Sequence, residues 1–390
     1  MCASKLMRRC SLFAFVYLFA IGSLALLGSL RYTETPGNGD RCVNGKTPTA
    51  SLRVNSSTQN REPVTLVLVT CAGGMEMTMA SLKSAIAFSR APLRLILYAD
   101  VENIKSLQDR IMQWPASVFT RITYDLRLVT FPKEDFKKWK QLFRPCSTQR
   151  LFLPDILPNE DVVLYVDADT LFLHPVEDLL EAFEKMNERH LMALVHEIED
   201  EATNWYHQHG KTPYIPPFGV NAGVMLINLT RMRSFGWVSR MGSLLDEYED
   251  RLILGDQDLV NILFSVHPDR LFRMTCRWNY RQATCTFHAS CSGQTPALLH
   301  ANRGRFMAPD WAPAFSAIHS VMRKYELGTS LERNFIDPLE HELHRVQRNE
   351  CVVQFLLHSK QWRTMARQLD NERGFNGNAT NAARSSVTST

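Results

Sequence analysis

The sequence predicts an α/β fold in which helices flank a mainly parallel β-sheet. Short apolar runs alternate with segments of helical periodicity, an order that is typical of α/β proteins. The runs Val64–Val69, Leu93–Tyr98 and Val162–Val166 are mostly apolar, which indicates buried strands. Val162–Val166 is continuously apolar, which indicates a strand that is buried on both faces. Polar residues follow several of these runs, and sheets of this kind bind ligands beyond the carboxyl ends of their strands.

The length of the chain allows one large domain or two ordinary ones. The chain has 390 residues, of which 45% are hydrophobic and 10% aromatic, and this is enough for a substantial core. Its 44 basic and 40 acidic residues leave a formal net charge of only +4. The sequence contains no basic block interleaved with aromatic residues, so we expect no nucleic-acid partner.

The amino-terminal half of the domain is predicted to alternate strands and helices. A first helix is predicted from an apolar face shared by four residues, Met79, Leu82, Ile86 and Ser89. A second helix is expected around Glu102–Gln113 and a strand around Thr123–Val129.

A further helix is expected before the strand at Val162–Val166. Ser147 or Thr148 would cap it, and it would contain the residues around Arg150 and Ile156. Pro154 would kink or shorten this helix because it lacks a backbone N–H.

The carboxyl-terminal half continues the pattern. Strands are expected at 191–195, 222–227 and 297–300, with a helix at 176–186. Asp256 is expected to cap a helix that runs through Leu259, Ile262 and Leu263. The catalytic domain is thus expected at 63–330. A helical extension and a tail, disordered from about 371, are expected at 331–390.

The amino terminus is predicted to be a membrane anchor. Residues 11–30 are uncharged and mostly apolar, which is about the length that crosses a bilayer as a helix. Lys5, Arg8 and Arg9 precede the run, so residues 1–10 would form a cytoplasmic tail. Residues 31–62 would be a flexible lumenal stem. A cleaved signal peptide is the alternative, because small residues such as Ala20 allow cleavage.

This topology places the catalytic domain in the lumen of the endoplasmic reticulum or Golgi, as a single-pass type II protein. Seven of the nine cysteines would then meet an oxidising compartment. Four of them are predicted disulfide partners: Cys146, Cys276, Cys285 and Cys291. A zinc site is the alternative, although no Cys-x-x-Cys pair supports it. Three sequons begin at Asn55, Asn228 and Asn378.

Two carboxylates follow the most apolar strand. Asp167 and Asp169 stand one residue apart at its end, where a ligand would bind. Adjacent carboxylates repel, so the pair suits a divalent cation that bridges them to a phosphate. His300 follows another apolar run and would complete the ligand set. An imidazole among the ligands favours Mn²⁺ over Mg²⁺ or Ca²⁺.

Three further polar segments are expected at the same edge of the sheet. They are Asn221-Ala222-Gly223, Gly255-Asp256-Gln257-Asp258 and His300-Ala301-Asn302-Arg303-Gly304. The amide of Asn221 suits a hydroxylated ligand, and Gly223 permits close backbone approach. Each segment also has a structural explanation, in which Asp256 caps its helix, Asn221 satisfies a turn and His300 is a hydrogen-bonded core residue.

The order of these motifs resembles that of the retaining glycosyltransferases of family 8, which have a GT-A, Rossmann-like fold. The segments 145–154, 278–281 and 300–304 are more narrowly similar to the glucoside xylosyltransferases. The resemblance covers about residues 64–325. It implies that the donor is UDP-xylose, that the acceptor is glucose O-linked to EGF-like repeats such as those of Notch, and that the product linkage is α1,3.

The resemblance also implies roles for individual residues. Asp167, Asp169 and His300 would hold Mn²⁺ against the diphosphate. Two sets of residues are implied around the donor. The donor-binding set is Arg150, Asn221, Ala222, Gly223, Cys71, Ala72, Gly73, Asp100, Asn302, Arg303 and Gly304, and the catalytic set is Asp256, Gln257 and Asp258. Many family members have a lysine that touches the diphosphate after the histidine. Here Arg303 or Arg305 would replace it.

Retention of anomeric configuration requires either a covalent intermediate or attack from the face that the leaving group vacates. The family places Gln257 beneath the sugar, and an amide is a poor nucleophile. We therefore expect same-face transfer, with Asp256 and Gln257 positioning the sugar.

Two other functions remain open from the sequence. The strand end Asp167-Ala168-Asp169, with Thr170 after it, resembles the Asp-x-Asp strand end of haloacid-dehalogenase-like, Mg²⁺-dependent phosphatases, which is one alternative. The chain is alternatively an inactive lumenal protein that binds a sugar nucleotide.

Overall fold

The computed structural model describes residues 62–71, 73–133, 136–142, 146–286, 291 and 293–375. The predicted cytoplasmic tail, membrane anchor and nearly all of the stem lie outside these residues, as does the tail after 375. No helix among the described residues is both long and apolar enough to span a bilayer.

The described strands form one large and one small sheet. They are β1 (Val64–Thr70), β2 (Leu93–Ala99), β3 (Ile122–Leu128), β4 (Val162–Asp167), β5 (Thr170–Phe172), β6 (Met192–His196), β7 (Val220–Asn228), β8 (Leu271–Arg273) and β9 (Leu298–His300). The large sheet has the order β3-β2-β1-β4-β7-β6-β8, and β5 pairs with β9 in the small one.

The large sheet is mainly parallel, which confirms the predicted fold class. Parallel pairing joins β1 to β2 and β4, β2 to β3, and β6 to β8. Strand β7 runs antiparallel to both of its neighbours. Because Val224 pairs with Val166, the beginning of β7 lies beside the carboxyl end of β4. A reversed strand thereby brings Asn221, Ala222 and Gly223 to the edge that carries Asp167.

Helices cover both faces of this sheet. The α-helices are α1 (Met75–Phe88), α2 (Ile104–Ile111), α3 (Phe136–Gln141), α4 (Leu153–Ile156), α5 (Glu181–Glu184), α6 (Trp205–His209), α7 (Leu229–Phe235), α8 (Trp237–Tyr248), α9 (Asp256–Val266), α10 (Gln282–Thr286), α11 (Pro313–Lys324), α12 (Asp337–Arg345) and α13 (Glu350–Glu372). Short 3₁₀ segments are Val118–Thr120, Ser147–Phe152, Val176–Leu180, Glu249–Arg251, Pro268–Arg270, Cys276–Asn279 and Asn302–Met307, and Glu332–Ile336 is a π-helical turn.

Three helix predictions need correction. The helix expected around Arg150 is a 3₁₀ segment followed by α4, and Pro154 lies in the first turn of α4, where its missing N–H costs little. The helix expected at 176–186 is also a 3₁₀ segment followed by the short α5. Asp256 is not a cap. Gly255 holds the cap position of α9 with φ of 60°, a conformation that favours glycine.

Alternate residues of the central strands enter two separate cores. Leu164 and Val166 of β4 pack into one hydrophobic cluster, whereas Val163 and Tyr165 pack into the other. This division is the reason that β4 is continuously apolar from Val162 to Val166. The carboxyl-terminal helices contribute Phe335, Leu339, Phe355 and Trp362 to the first cluster. Residues 331–369 therefore pack on the same core as the sheet.

Three disulfides join loops and helices around this core. They link Cys71 to Cys146, Cys276 to Cys291 and Cys285 to Cys351. All four predicted partners are paired, so they are not zinc ligands. Asn228, the start of one sequon, is buried, and its side chain accepts a hydrogen bond from the backbone N–H of Arg231 as the cap of α7. We therefore expect this sequon to be unmodified in the folded protein.

The packing of α13 predicts that its inner face is needed for stability. Phe355 is fully buried, with ring contacts to Phe315 at 5.4 Å and Trp362 at 5.5 Å between centroids. Phe355→Ala should lower the free energy of unfolding by about 3–5 kcal/mol, measured by denaturant titration. Leu357 on the same helix is 62% exposed, so Leu357→Ala should change it by less than about 0.5 kcal/mol. Equal effects of the two changes would mean that α13 does not pack as described.

His319 of α11 is buried in a way that opposes its charged form. Its ring stacks on Phe306 at 5.0 Å between centroids, and its Nε2 has no hydrogen-bond partner among the described residues. Burial, aided by the charge of Arg323, lowers the pKa of His319 to about 4. Below pH 6.5 the unfolded chain therefore takes up a proton that the folded chain does not.

This difference predicts a loss of stability on acidification. The free energy of unfolding should fall between about pH 6.5 and about pH 4, by up to about 1.4 kcal/mol per pH unit from this group. His319→Asn keeps a donor near the position of Nδ1 but does not titrate. As the pH falls through this window, the wild type should therefore lose stability relative to the variant. An unchanged difference at every pH would show that His319 is not held neutral.

Candidate metal centre and donor site

Asp167, Asp169 and His300 converge on one point. One ligand atom from each lies within 4.8 Å of the others. Nε2 of His300 lies 3.7 Å from Oδ2 of Asp167 and 3.4 Å from Oδ1 of Asp169. The structure thus brings together the three residues that the sequence predicted as metal ligands.

The small sheet brings the histidine to this point. Asp167 ends β4, Asp169 lies in the turn before β5, and Thr170 of β5 pairs with His300 of β9. The backbone N–H of Ala301 also donates to the carbonyl of Asp169 at 2.8 Å. The hydroxyl of Thr170 donates to the carbonyl of Asp167 at 2.8 Å, which fixes the turn between the two carboxylates.

Gly223 allows the imidazole to occupy this position. A Cβ at Gly223 would lie 2.6 Å from Nδ1 and 2.7 Å from Nε2 of His300, closer than any real side chain permits. Glycine at position 223 therefore leaves room for the ring of His300. The sequence predicted only that it would let a ligand approach the backbone closely.

The two carboxylate oxygens of Asp167 have different surroundings. Its Oδ1 accepts hydrogen bonds from Arg150 at 2.7 Å and from the hydroxyl of Tyr165 at 3.0 Å. Burial raises the pKa of Asp167, although the neighbouring guanidinium of Arg150 opposes the rise. The remaining oxygen, Oδ2, faces His300.

Arg150 joins the triad to the start of α9. Its guanidinium pairs with Asp167 and also with Asp256, where Nε and Oδ2 are 3.0 Å apart. A further nitrogen donates to the carbonyl of Ala222, and the ring of Tyr165 lies 4.7 Å from the guanidinium carbon. Burial opposes the charged form, but Asp167, Tyr165 and Asp256 together raise the pKa of Arg150. Arg150 is therefore a buried ionic link inside the site.

In the Gly255–Asp258 segment, Asp256 and Gln257 contact other residues of the predicted site. Asp256 forms an ion pair with Arg150 and accepts a hydrogen bond from the hydroxyl of Ser147 at 2.7 Å. The carbonyl oxygen of Gln257 accepts from the backbone N–H of Ala222 at 3.1 Å. Asp258 faces the loop before α9 and Tyr206 of α6, and both of its oxygens are engaged. The catalytic roles of these three residues remain predictions.

The donors to Asp258 define its position. Its Oδ2 accepts from the backbone N–H groups of Ile253 and Leu254, each at 2.7 Å, and its Oδ1 accepts from the hydroxyl of Tyr206 at 3.1 Å. Burial raises the pKa of Asp258, although the backbone donors oppose the rise.

The remaining predicted donor residues lie in loops at this edge of the sheet. Cys71 is tied to Cys146, Gly73 has φ of 78°, and Asp100 accepts from the backbone N–H of Asn103 at 2.9 Å. Asn302 and Gly304 lie in the 3₁₀ segment after His300, where Gly304 has φ of 73°. Ala72 and the side chain of Arg303 lie outside the described part of the structure.

Sequence reasoning missed a set of buried polar residues behind the triad. Glu197 follows β6, and Asn279 and Arg281 flank Tyr280 before β9. The side chains of Glu197 and Asn279 hydrogen-bond to Asn221, Gln257 and His300, and Arg281 is paired with Glu197. A carboxylate directly after a predicted strand was a usable signal for Glu197. The contacts of Asn279 depend on the tertiary structure.

The triad fits a divalent cation. Two carboxylates and an imidazole suit Mn²⁺ and related cations. Neighbouring ligands of one octahedral cation lie about 3 Å apart when the metal–ligand distances are about 2.1 Å. The separations of 3.4 and 3.7 Å from His300 to the two carboxylates are near that value.

The close approach at Gly223 predicts that a single methyl group disrupts this centre. In Gly223→Ala the ring of His300 must move, so the affinity for Mn²⁺, measured by electron paramagnetic resonance, should fall about tenfold or more. Gly242 of α8 is the matched control, because a Cβ there meets nothing within 4 Å. Gly242→Ala should bind Mn²⁺ as the wild type does and gain up to about 1 kcal/mol of stability. Wild-type affinity in Gly223→Ala would exclude His300 as a ligand.

Comparison with known proteins identifies a family. The model described as glycosyl transferase family 8 matches residues 67–300. Glucoside xylosyltransferase 1 of Rattus norvegicus is 36% identical over 326 residues, which cover 80% of this chain and 74% of that protein. Glucoside xylosyltransferase 2 of Xenopus laevis is 34% identical over 289 residues, covering 70% and 68%.

A solved structure shares the fold. The galactosyltransferase LgtC, in complex with donor and acceptor sugar analogues, matches with a TM-score of 0.51 and 17% identity, covering 66% of this chain and 95% of that chain. The family match spans more than half of the sequence and includes all three residues of the triad. The chain therefore belongs to glycosyltransferase family 8, a family of enzymes that transfer a sugar from a donor.

Proposed function

We propose that this chain transfers xylose from UDP-xylose to O-linked glucose on EGF-like repeats such as those of Notch, forming an α1,3 linkage. The observation that carries the proposal is the triad of Asp167, Asp169 and His300 in a chain that resembles glucoside xylosyltransferases over about 80% of its length. Family membership also sets aside the phosphatase hypothesis, which left His300 without a role.

The location that we propose is the lumen of the endoplasmic reticulum or Golgi, behind an amino-terminal anchor. Three disulfides among the described cysteines support an oxidising compartment. The resemblance to glucoside xylosyltransferases supports an acceptor that is itself a glycoprotein.

In the proposed reaction, the bond between the anomeric carbon and the diphosphate oxygen breaks, and a bond to the acceptor hydroxyl forms. Asp167, Asp169 and His300 would hold Mn²⁺, which supplies a positive charge where the leaving diphosphate becomes more negative. Arg150 keeps one oxygen of Asp167 engaged, so that the other faces the cation site.

The surroundings of Gln257 support same-face transfer. Its carbonyl oxygen accepts from Ala222, and its NH₂ group faces Glu197 and the hydroxyl of Tyr206, each at 3.4 Å. Asp256 and Asp258 on either side of it are engaged by other groups. The acceptor proton would then pass to the departing diphosphate oxygen, and Gln257 would position the sugar.

A transfer assay tests this function. The full chain is incubated with Mn²⁺, a panel of UDP-sugars and an O-glucosylated EGF repeat, and the product is weighed. We expect a gain of one pentose, only with UDP-xylose and only on the glucosylated repeat. Asp169→Asn should abolish the gain, whereas Asp155→Asn, a change of the same kind at an exposed position, should not.

Three outcomes would contradict the proposal. Transfer of a different sugar would overturn the donor. Binding of UDP-xylose without turnover would indicate an inactive sugar-nucleotide-binding protein. A xylosyl adduct on Asp256 or Asp258 in the mass spectrum of the enzyme would replace same-face transfer by a covalent route.

A further inference from the structure

A continuous hydrogen-bonded chain of buried side chains leads away from His300. Nδ1 of His300 lies 2.9 Å from Oδ1 of Asn279, and Nδ2 of Asn279 donates to Oδ1 of Asn221 at 2.9 Å. Nδ2 of Asn221 then donates to Oε2 of Glu197 at 2.9 Å. Glu197 is paired with Arg281, with Nη1 and Oε2 2.8 Å apart. The exposed fractions of these five residues are between 0% and 6%.

The direction of this chain follows from which groups can donate. A carboxylate only accepts hydrogen bonds, so Asn221 must present its NH₂ group to Glu197. The backbone N–H of Gly223, which only donates, independently requires the carbonyl oxygen of Asn221 on the other side, at 3.0 Å. Asn279 must therefore present its own NH₂ group to Asn221. Its carbonyl oxygen is left to face His300.

The orientation of Asn279 determines which nitrogen of His300 carries the proton. A carbonyl oxygen beside Nδ1 of His300 requires that this nitrogen carry the proton. The lone pair of a neutral ring then lies on Nε2, and Nε2 is the atom that faces Asp167 and Asp169. The position of the proton is thus determined by groups that do not themselves touch the cation site.

Glu197 also orients a second group in the site. The NH₂ group of Gln257 donates to the same Oε2 at 3.4 Å, and its carbonyl oxygen accepts from the backbone N–H of Ala222. One buried carboxylate therefore anchors the amide of Asn221 on one side and that of Gln257 on the other. Arg281 compensates its charge, which would otherwise be costly to bury.

We propose that Asn279 is a positioning residue that holds His300 in the Nδ1–H tautomer, and that Glu197, through Asn221, sets the orientation of Asn279. This inference rests on the cation site of the proposed function but not on its donor or its acceptor. A hydrogen-bonded partner behind a metal-bound histidine usually changes metal affinity about 10- to 100-fold.

Two variants of Asn279 separate this role from simple packing. Asn279→Leu removes the acceptor for Nδ1–H, whereas Asn279→Asp keeps it and loses only the donor to Asn221. The full chain is labelled with ¹⁵N-histidine, and long-range proton–nitrogen spectra report which nitrogen of His300 carries the proton. His300→Gln assigns the resonance. Titration with Mn²⁺ alone gives the affinity.

We expect the wild type and Asn279→Asp to show a protonated Nδ1. Asn279→Leu should show mixed tautomers and bind Mn²⁺ about tenfold or more weakly, while Asn279→Asp retains or exceeds wild-type affinity. Asn334→Leu, at an exposed position, should match the wild type throughout. If Asn279→Leu fails to fold, the wild-type spectrum and the Mn²⁺ affinity of Asn279→Asp still test the inference.

A wild-type spectrum with the proton on Nε2 would overturn the inference, as would unchanged Mn²⁺ affinity in a folded Asn279→Leu. Either result leaves the proposed function standing, because neither measurement uses a nucleotide sugar or an acceptor. A wild-type chain that binds no Mn²⁺ would contradict both proposals. Sugar transfer to the wrong acceptor would contradict only the proposed function.

Discussion

The repulsion between the carboxylates of Asp167 and Asp169 is the constraint around which the site is arranged. Two like charges about 4 Å apart cost about 4 kcal/mol at an effective dielectric constant of about 20, so the pair needs compensating positive charge. Arg150 supplies some of it inside the protein and in doing so binds Asp256 as well. The remaining compensation is left to a cation that Asp167, Asp169 and His300 can hold together.

The directions of the strands bring these residues to one place in the fold. The carboxyl end of β4, the reversed start of β7 and the short β5–β9 pair all meet at one edge of the sheet. Gly223 leaves space there for the imidazole of His300, and the turn after β4 is tied to Ala301. The carboxyl-terminal helices, although distant in sequence, pack on the same core.

Sequence alone was sufficient to predict the fold class and the triad. Asp167 and Asp169 follow an apolar strand of the large sheet, and the order of the motifs added His300, although His300 ends β9 of the small sheet. Sequence could not predict the reversal of β7, since a continuously apolar run carries no information on direction. It also took Asp256 for a helix cap, whereas the tertiary structure places its carboxylate on Arg150 and Ser147. The contribution of Asn279 was equally hidden, because it depends on which end of an amide faces His300.

The most direct test of this account is anomalous diffraction from crystals of the protein grown with Mn²⁺ and without nucleotide. We expect an anomalous peak bounded by the carboxylates of Asp167 and Asp169 and by Nε2 of His300, with Nδ1 still on Asn279. A peak at another place in the molecule, or a ring turned so that Nδ1 faces the ion, would contradict the account.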